Sequence, residues 1–177
     1  MTDDNPDAFL LTLPRRRAGS GALIVNTNGR LLLVEPRYKS TWEIPGGIVE
    51  SGEDPRTACA REIREEIGLD IRPGRLLVLE HQTDPPPRGD SIMFVYDGGT
   101  LTDDAPIRLR HEELLSYRFV DAADLASLLN PRLANRMHHA LCARADGTTV
   151  ELSSGTGSGT GSGTSSSAGS GTRNSAV

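Results

Sequence analysis

Cysteine is scarce: the 177-residue chain has two, Cys59 and Cys142, with no Cys-x-x-Cys pair and no Cys/His cluster. That pattern excludes a zinc ribbon and a disulfide scaffold. Both thiols fall in helical apolar patterns and read as small core residues. Long apolar runs are missing too, since none approaches the ~20 residues needed to cross a bilayer, so no membrane partner is expected. The N-terminus opens with Asp3, Asp4 and Asp7 and lacks the basic flank and apolar block of a secretory leader, which predicts a cytoplasmic protein. Basic residues are outnumbered, 19 Lys+Arg against 24 Asp+Glu, for a net charge of −5. That balance argues against a broad nucleic-acid-binding face and a stable nucleic-acid partner.

Apolar residues are almost absent from the C-terminal end. From Ser153 to Val177, 20 of 25 residues are Gly, Ser or Thr, and such a stretch cannot recover its ordering entropy by burial. The expected organisation is a flexible arm over 1–16, one domain over 17–152 and a disordered tail over 153–177. The length suits a single core.

Gly19 to Thr27 reads as a strand, and Asn28-Gly29 supplies the turn of a hairpin that returns along Leu31 to Glu35. Trp42 to Pro45 reads as a short extended piece ended by Gly46-Gly47. Asp54 caps a helix with Pro55 at its first position, and Gly68 offers a left-handed stop after Ile67. Arg75 to Gln82, Ser91 to Tyr96 and Ser116 to Val120 read as strands. A helix near Ala122 to Leu129 follows, then a last one capped by Asn130-Pro131. The pattern predicts an α/β fold, a mixed sheet with helices on its faces.

The stretch Gly46 to Leu69, GGIVESGEDPRTACAREIREEIGL, carries the chemistry. At about 100° per residue, Glu66 lies roughly 40° and Glu65 roughly 60° from Glu62, so three carboxylates share one helix face. Ala58 lies among them and is expected to leave room for a ligand. Ile63, Ile67, Ala60 and Cys59 form the stripe expected to be buried. Like charges at i,i+4 repel, and the C-terminal half of a helix disfavours acids. Arg64 points away from the cluster, so a divalent cation is the expected remedy, and hard oxygen donors suit Mg²⁺ or Mn²⁺. Ahead of the helix, Gly46, Gly47 and Gly52 permit close backbone approach. Glu50 and Glu53 add carboxylates there, and Arg61 is placed to reach back to Glu53. The plain alternative for the acids alone is a solvated helix face.

Gly47, five residues, Glu53, seven residues, then Arg61-Glu62-Ile63-Arg64-Glu65-Glu66-Ile67-Gly68-Leu69 resembles a complete Nudix box. Trp42-Glu43-Ile44-Pro45-Gly46-Gly47 before it, and Tyr117-Arg118-Phe119-Val120 before a helix, extend the resemblance over roughly 17–152. It implies a Nudix-type α/β/α sandwich with a mixed central sheet. It also implies hydrolysis of a pyrophosphate bond in a nucleoside diphosphate linked to another moiety. By resemblance Mg²⁺, with Mn²⁺ as a substitute, is held by Glu62, Glu65, Glu66 and the Gly46 carbonyl, while Glu53 and Arg61 support that set. Glu65 or Glu66 takes the proton from water, and Glu112 or Glu113 is the candidate additional base. A homodimer is expected from the family alone.

Arg37, Lys39 and Trp42 are candidate substrate contacts, the first two as phosphate partners and the third as a base platform; the plain alternatives are exposed surface for the two basic residues and a core position for the Trp. Arg15-Arg16-Arg17 reads as a solvated arm. The Pro85-Pro86-Pro87 loop stands where ADP-ribose-cleaving members carry a proline, yet the resemblance covers ADP-ribose, NADH, noncanonical triphosphates, dinucleoside polyphosphates and nucleotide sugars alike. The rival reading is a catalytically silent Nudix-fold module that binds nucleotides for regulation. Such a module is expected to lose box glutamates, and Glu53, Glu62, Glu65 and Glu66 are all present.

Overall fold

Alternation along the first two strands divides the core into two layers. In the computed structural model, which describes residues 6–102 and 104–155, β1 runs over Arg17–Asn26 and β2 over Leu31–Pro36. Ala22, Ile24, Leu32 and Val34 bury against one layer, and Leu23, Val25, Leu31 and Leu33 against the other. Covering on both faces explains why β1 reads as a continuous apolar run rather than an alternating one. The hairpin turn forms where Asn28-Gly29 predicts it. Gly29 takes φ 77°, and the Asn26 side chain accepts hydrogen bonds from the Asn28 and Arg30 amides.

The remaining strands are β3 (Gly46–Ile48), β4 (Leu76–Thr83), β5 (Ser91–Leu101), β6 (Leu114–Val120) and β7 (Val150–Gly155). They join one mixed sheet of order β6-β2-β1-β5-β4-β7, with β1–β5 and β4–β7 parallel. β3 pairs antiparallel with the first half of β1, setting Gly46 opposite Gly21 and Ile48 opposite Gly19. This corrects one expectation: Gly46-Gly47 does not end the extended piece but starts a paired strand, while Glu43 makes only an isolated bridge to Val34.

Among the described residues four helices accompany the sheet: α1 (Pro6–Thr12), α2 (Pro55–Ile67), α3 (Leu125–Leu128) and α4 (Pro131–Asp146). α2 covers one face through Cys59, Ile63 and Ile67, all fully buried; each such isoleucine contributes roughly 1.5–3 kcal/mol. α4 covers the other through Leu133, Met137 and Ala140. The caps match the sequence. Asp54 accepts from the Arg56 and Thr57 amides, Asn130 from the Leu133 amide, and Gly68 ends α2 at φ 70°. Together these layers make the α/β/α sandwich. Among the described residues no helix is long and apolar enough to cross a membrane.

Three expectations change. The segment Ala122–Asp124 is a 3₁₀ turn leading into a four-residue helix rather than one continuous helix. Cys142 is exposed, so only Cys59 is a core thiol. Ser153, Ser154 and Gly155 belong to β7 instead of a tail, because β4 offers an open edge and Ser154 Oγ donates to the buried Glu80 at 2.6 Å. The arm expected over 1–16 contains α1. Residues 1–5, and 156–177 of the expected tail, lie outside the described residues.

Candidate active site

The acidic face of α2 packs over β3, and two glycines make that contact possible. A Cβ on Gly47 would stand 2.3 Å from Glu62 Oε1, so a bare backbone here lets the Glu62 carboxylate lie across the strand. Gly46 adopts φ 151°, and a Cβ there would meet the Ser20 carbonyl at 2.4 Å. The glycines therefore make room for the protein's own groups, where the sequence suggested room for a ligand. Ala58 is likewise fully buried, not open as expected. Nearby, Ser20 Oγ donates to the Pro55 carbonyl at 2.6 Å and ties β1 to the start of α2.

Glu66 accepts the Gly46 N–H at 2.9 Å. Burial pushes its carboxyl up to about 8, against the lowering effect of that bond, with Glu62, Glu113 and Glu43 adding repulsion. Burial also raises Glu62 above the usual carboxylate range, only partly offset by Arg61. Glu53 is shifted the other way, its carboxyl held down chiefly by hydrogen bonds from Arg61. Arg61 is the hub. It donates to both oxygens of Glu53 at 3.0 Å, to Glu62 at 2.9 Å, to Glu65 at 3.4 Å and to the Ile48 carbonyl at 3.0 Å. Glu53 raises the affinity of this guanidinium for its proton further.

Arg61 thus stands inside the acid cluster, a place the helical-wheel reading left without a cation. Among the described residues no three His, Cys, Asp or Glu side chains already converge on one point. The carboxylates share a face, and Arg61 Nη1 bridges Glu62 and Glu65. The donors are all hard oxygens on a face where Gly47 offers no side chain, and that set suits a small divalent cation.

The other candidates divide. Glu113 is close enough to Glu62 and Glu66 to raise both, and it pairs with Arg110 at 3.3 Å; Glu112 is exposed. Arg110 also lies 3.9 Å from Glu65, a neighbour for which the sequence carries no signal. Lys39 pairs with Glu43 at 2.6 Å and lines a cleft of about 710 Å³. Arg37 instead donates to the His111 carbonyl at 2.6 Å and fastens the loop after β2. Trp42 is 7% exposed, belongs to the core, and is covered by the Arg118 guanidinium at 3.9 Å. Its indole is filled by packing and is not a base platform.

That cleft opens on the opposite face of the sheet from α2, between β1, β5 and the start of α4, and reaches Glu43 and, in β3, Ile48. Arg136 and Gln82 line it, and behind them Arg136 pairs with the buried Glu80, which also accepts from Gln82 and Ser154. No sequence motif marked this pair, whose partners lie 56 positions apart.

The NUDIX domain model matches residues 15–142. A MutT-like protein of Streptomyces ambofaciens is 38% identical over 58 residues, covering 33% of this chain and 38% of that protein. An ADP-ribose pyrophosphatase of Methanocaldococcus jannaschii is 38% identical over 91 residues, covering 46% of this chain and 54% of that protein. The chain therefore spans less than two thirds of either. Among solved structures, a MutT protein from Methanosarcina mazei matches with a TM-score of 0.59 and 26% identity, over 76% of this chain and 96% of that one. A UDP-X diphosphatase, 20% identical, shares the fold with a TM-score of 0.65 over 86% of this chain and 76% of that one.

Proposed function

Because the chain belongs to the Nudix family, we propose that it is a Mg²⁺-dependent pyrophosphohydrolase acting on a nucleoside diphosphate linked to another moiety. The observation that carries this reading is the seating of Glu62 and Glu66 over the bare backbone of β3, with Glu66 oriented by the Gly46 amide. Glu62, Glu65, Glu66 and the Gly46 carbonyl would hold Mg²⁺, or Mn²⁺ in its place. Such an ion, when bound, neutralises charge on pyrophosphate oxygens and makes water more acidic. Arg61 and Glu53 act as positioning residues that fix the Glu62 and Glu65 side chains. Glu65, more exposed than Glu62 and without a backbone partner, takes the proton from the attacking water, and Glu113 is the additional base. The cleft beside Ile48 and Glu43 receives the nucleoside.

A phosphate-release assay with Mg²⁺ tests this. It spans nucleoside triphosphates, ADP-ribose, NADH, dinucleoside polyphosphates and nucleotide sugars, with a phosphatase added to reveal monoester products. Metal-dependent turnover of one group, abolished by chelation, is the expected result. Nucleotide binding with no turnover across the panel would establish the silent regulatory module instead. A homodimer is part of the proposal, and gel filtration of the full chain checks it.

A further inference from the structure

One end of the large cleft carries more positive charge than its own carboxylate neutralises. Arg132 donates to both oxygens of Asp84 at 2.8 Å, a bidentate pair in which the Asp84 side chain is 10% exposed. Arg17 and Arg88 line the same cleft, and both act on the Asp84 carboxyl through space behind the larger effect of Arg132. Three guanidiniums therefore face one carboxylate. Among the described residues Arg88 has no side-chain partner within ion-pairing distance, and the Arg17 guanidinium makes only a 3.5 Å contact with the Gly89 carbonyl. The cleft's other charges are matched: Arg136 pairs with the buried Glu80 behind it, and Lys39 pairs with Glu43. The surplus is confined to the rim where β1 begins, beyond Gly19 and Ile48 as seen from the glutamates.

A phosphate monoester carries close to two negative charges at neutral pH, and paired guanidiniums match its oxygens. Among the described residues no aromatic side chain lines the cleft, so base stacking from them does not provide the grip there. We infer that Arg17 and Arg88 bind a second, non-scissile phosphate, and that the preferred substrate is a nucleoside diphosphate derivative bearing a further phosphate monoester on its nucleoside side. This rests on the hydrolase reading above, and it turns the residue that sequence placed at the end of a solvated arm into a specificity determinant.

Calorimetric titration of the full chain with Mg²⁺ tests it, using ADP and GDP, each alone and with an added phosphate on the ribose 2′ or 3′ oxygen. At least one phosphorylated form is expected to bind roughly ten- to hundredfold more tightly than its parent, the range that hydrogen bonds to charged groups supply. The 2′ and 3′ arms identify the position. Arg17→Ala with Arg88→Ala should erase that gain while leaving the parent's Kd within about twofold. Equal binding of phosphorylated and parent forms, or a gain that survives the double substitution, overturns the inference and leaves the hydrolase standing. Failure of the hydrolase reading looks different: no Mg²⁺-dependent product from any substrate in the phosphate-release assay. If none of the nucleotides binds, the inference falls as well.

Discussion

Arg61 grips Glu53 through two parallel hydrogen bonds, Nε to Oε1 and Nη2 to Oε2, each 3.0 Å, from eight residues further along the chain. The same guanidinium reaches Glu62, Glu65 and the Ile48 carbonyl. Lysine offers one compact ammonium and cannot make a planar fork. Arg61→Lys should therefore reduce kcat/KM by about 10- to 100-fold, the usual cost of losing a positioning contact around a metal site. Circular dichroism should show an unchanged fold. Near-wild-type kinetics would remove Arg61 from the site.

Glu65→Gln and Glu66→Gln test the acids directly. Each keeps size and shape while replacing a carboxylate oxygen, a metal donor and proton acceptor, with an amide nitrogen, and each should lower kcat roughly 10²- to 10⁴-fold with Mg²⁺ present. Unaltered turnover in either variant would contradict the assignment.

Gly47 and Gly52 provide a matched comparison. A methyl group at position 47 collides with Glu62, whereas at position 52 it meets nothing within 4 Å but must accept φ 81°. Gly47→Ala should displace the carboxylate and cost at least about tenfold in activity. Gly52→Ala should lower stability by about 1 kcal/mol with kinetics largely retained. Thermal melts and initial rates on both variants separate the two effects.

The two thiols should differ in reactivity. Cys59 is fully buried and burial pushes its thiol up to about 12, while Cys142 is exposed. Thiolate is the reacting species, so a chromogenic disulfide reagent should count one thiol in the native protein at pH 8 and two in denaturant. Two fast native equivalents would contradict the packing of α2.

Asp84 makes a pH prediction. Hydrogen bonds from Arg132 hold its carboxyl below the usual carboxylate value, so folding favours the ionised form. The stabilisation is complete above the unfolded-state carboxylate pKa and disappears as pH falls through the lower folded value. Asp84→Asn should lower Tm by roughly 2–4 °C at pH 7, and the gap from wild type should close in strong acid. A gap independent of pH would mean the pair contributes nothing through charge.

Much of α2 was legible because its determinants are local. Asp54, Pro55 and Gly68 act within one turn of where they stand, and the shared face of Glu62, Glu65 and Glu66 follows from helical geometry. The role of Gly47 was not, since a bare backbone looks the same whether it admits a ligand or the protein's own Glu62. Trp42 belongs to the same class: nothing in its neighbours along the chain reveals that Leu128 accepts its amide and Arg118 covers its ring. β7 escaped because Ser153-Ser154-Gly155 has no apolar pattern. Its partners are the open edge of β4 and the Glu80 carboxylate, 74 residues from Ser154.

Family, the order of most elements and the acidic helix face could all be read from spacings of a few residues. What surrounds those residues emerges with the folded chain: Arg61 among the glutamates, Glu113 beside them, and three arginines about Asp84. These contacts are made between strands and helices distant in the chain, where burial and Coulomb attraction depend on separation in space, which no local spacing records.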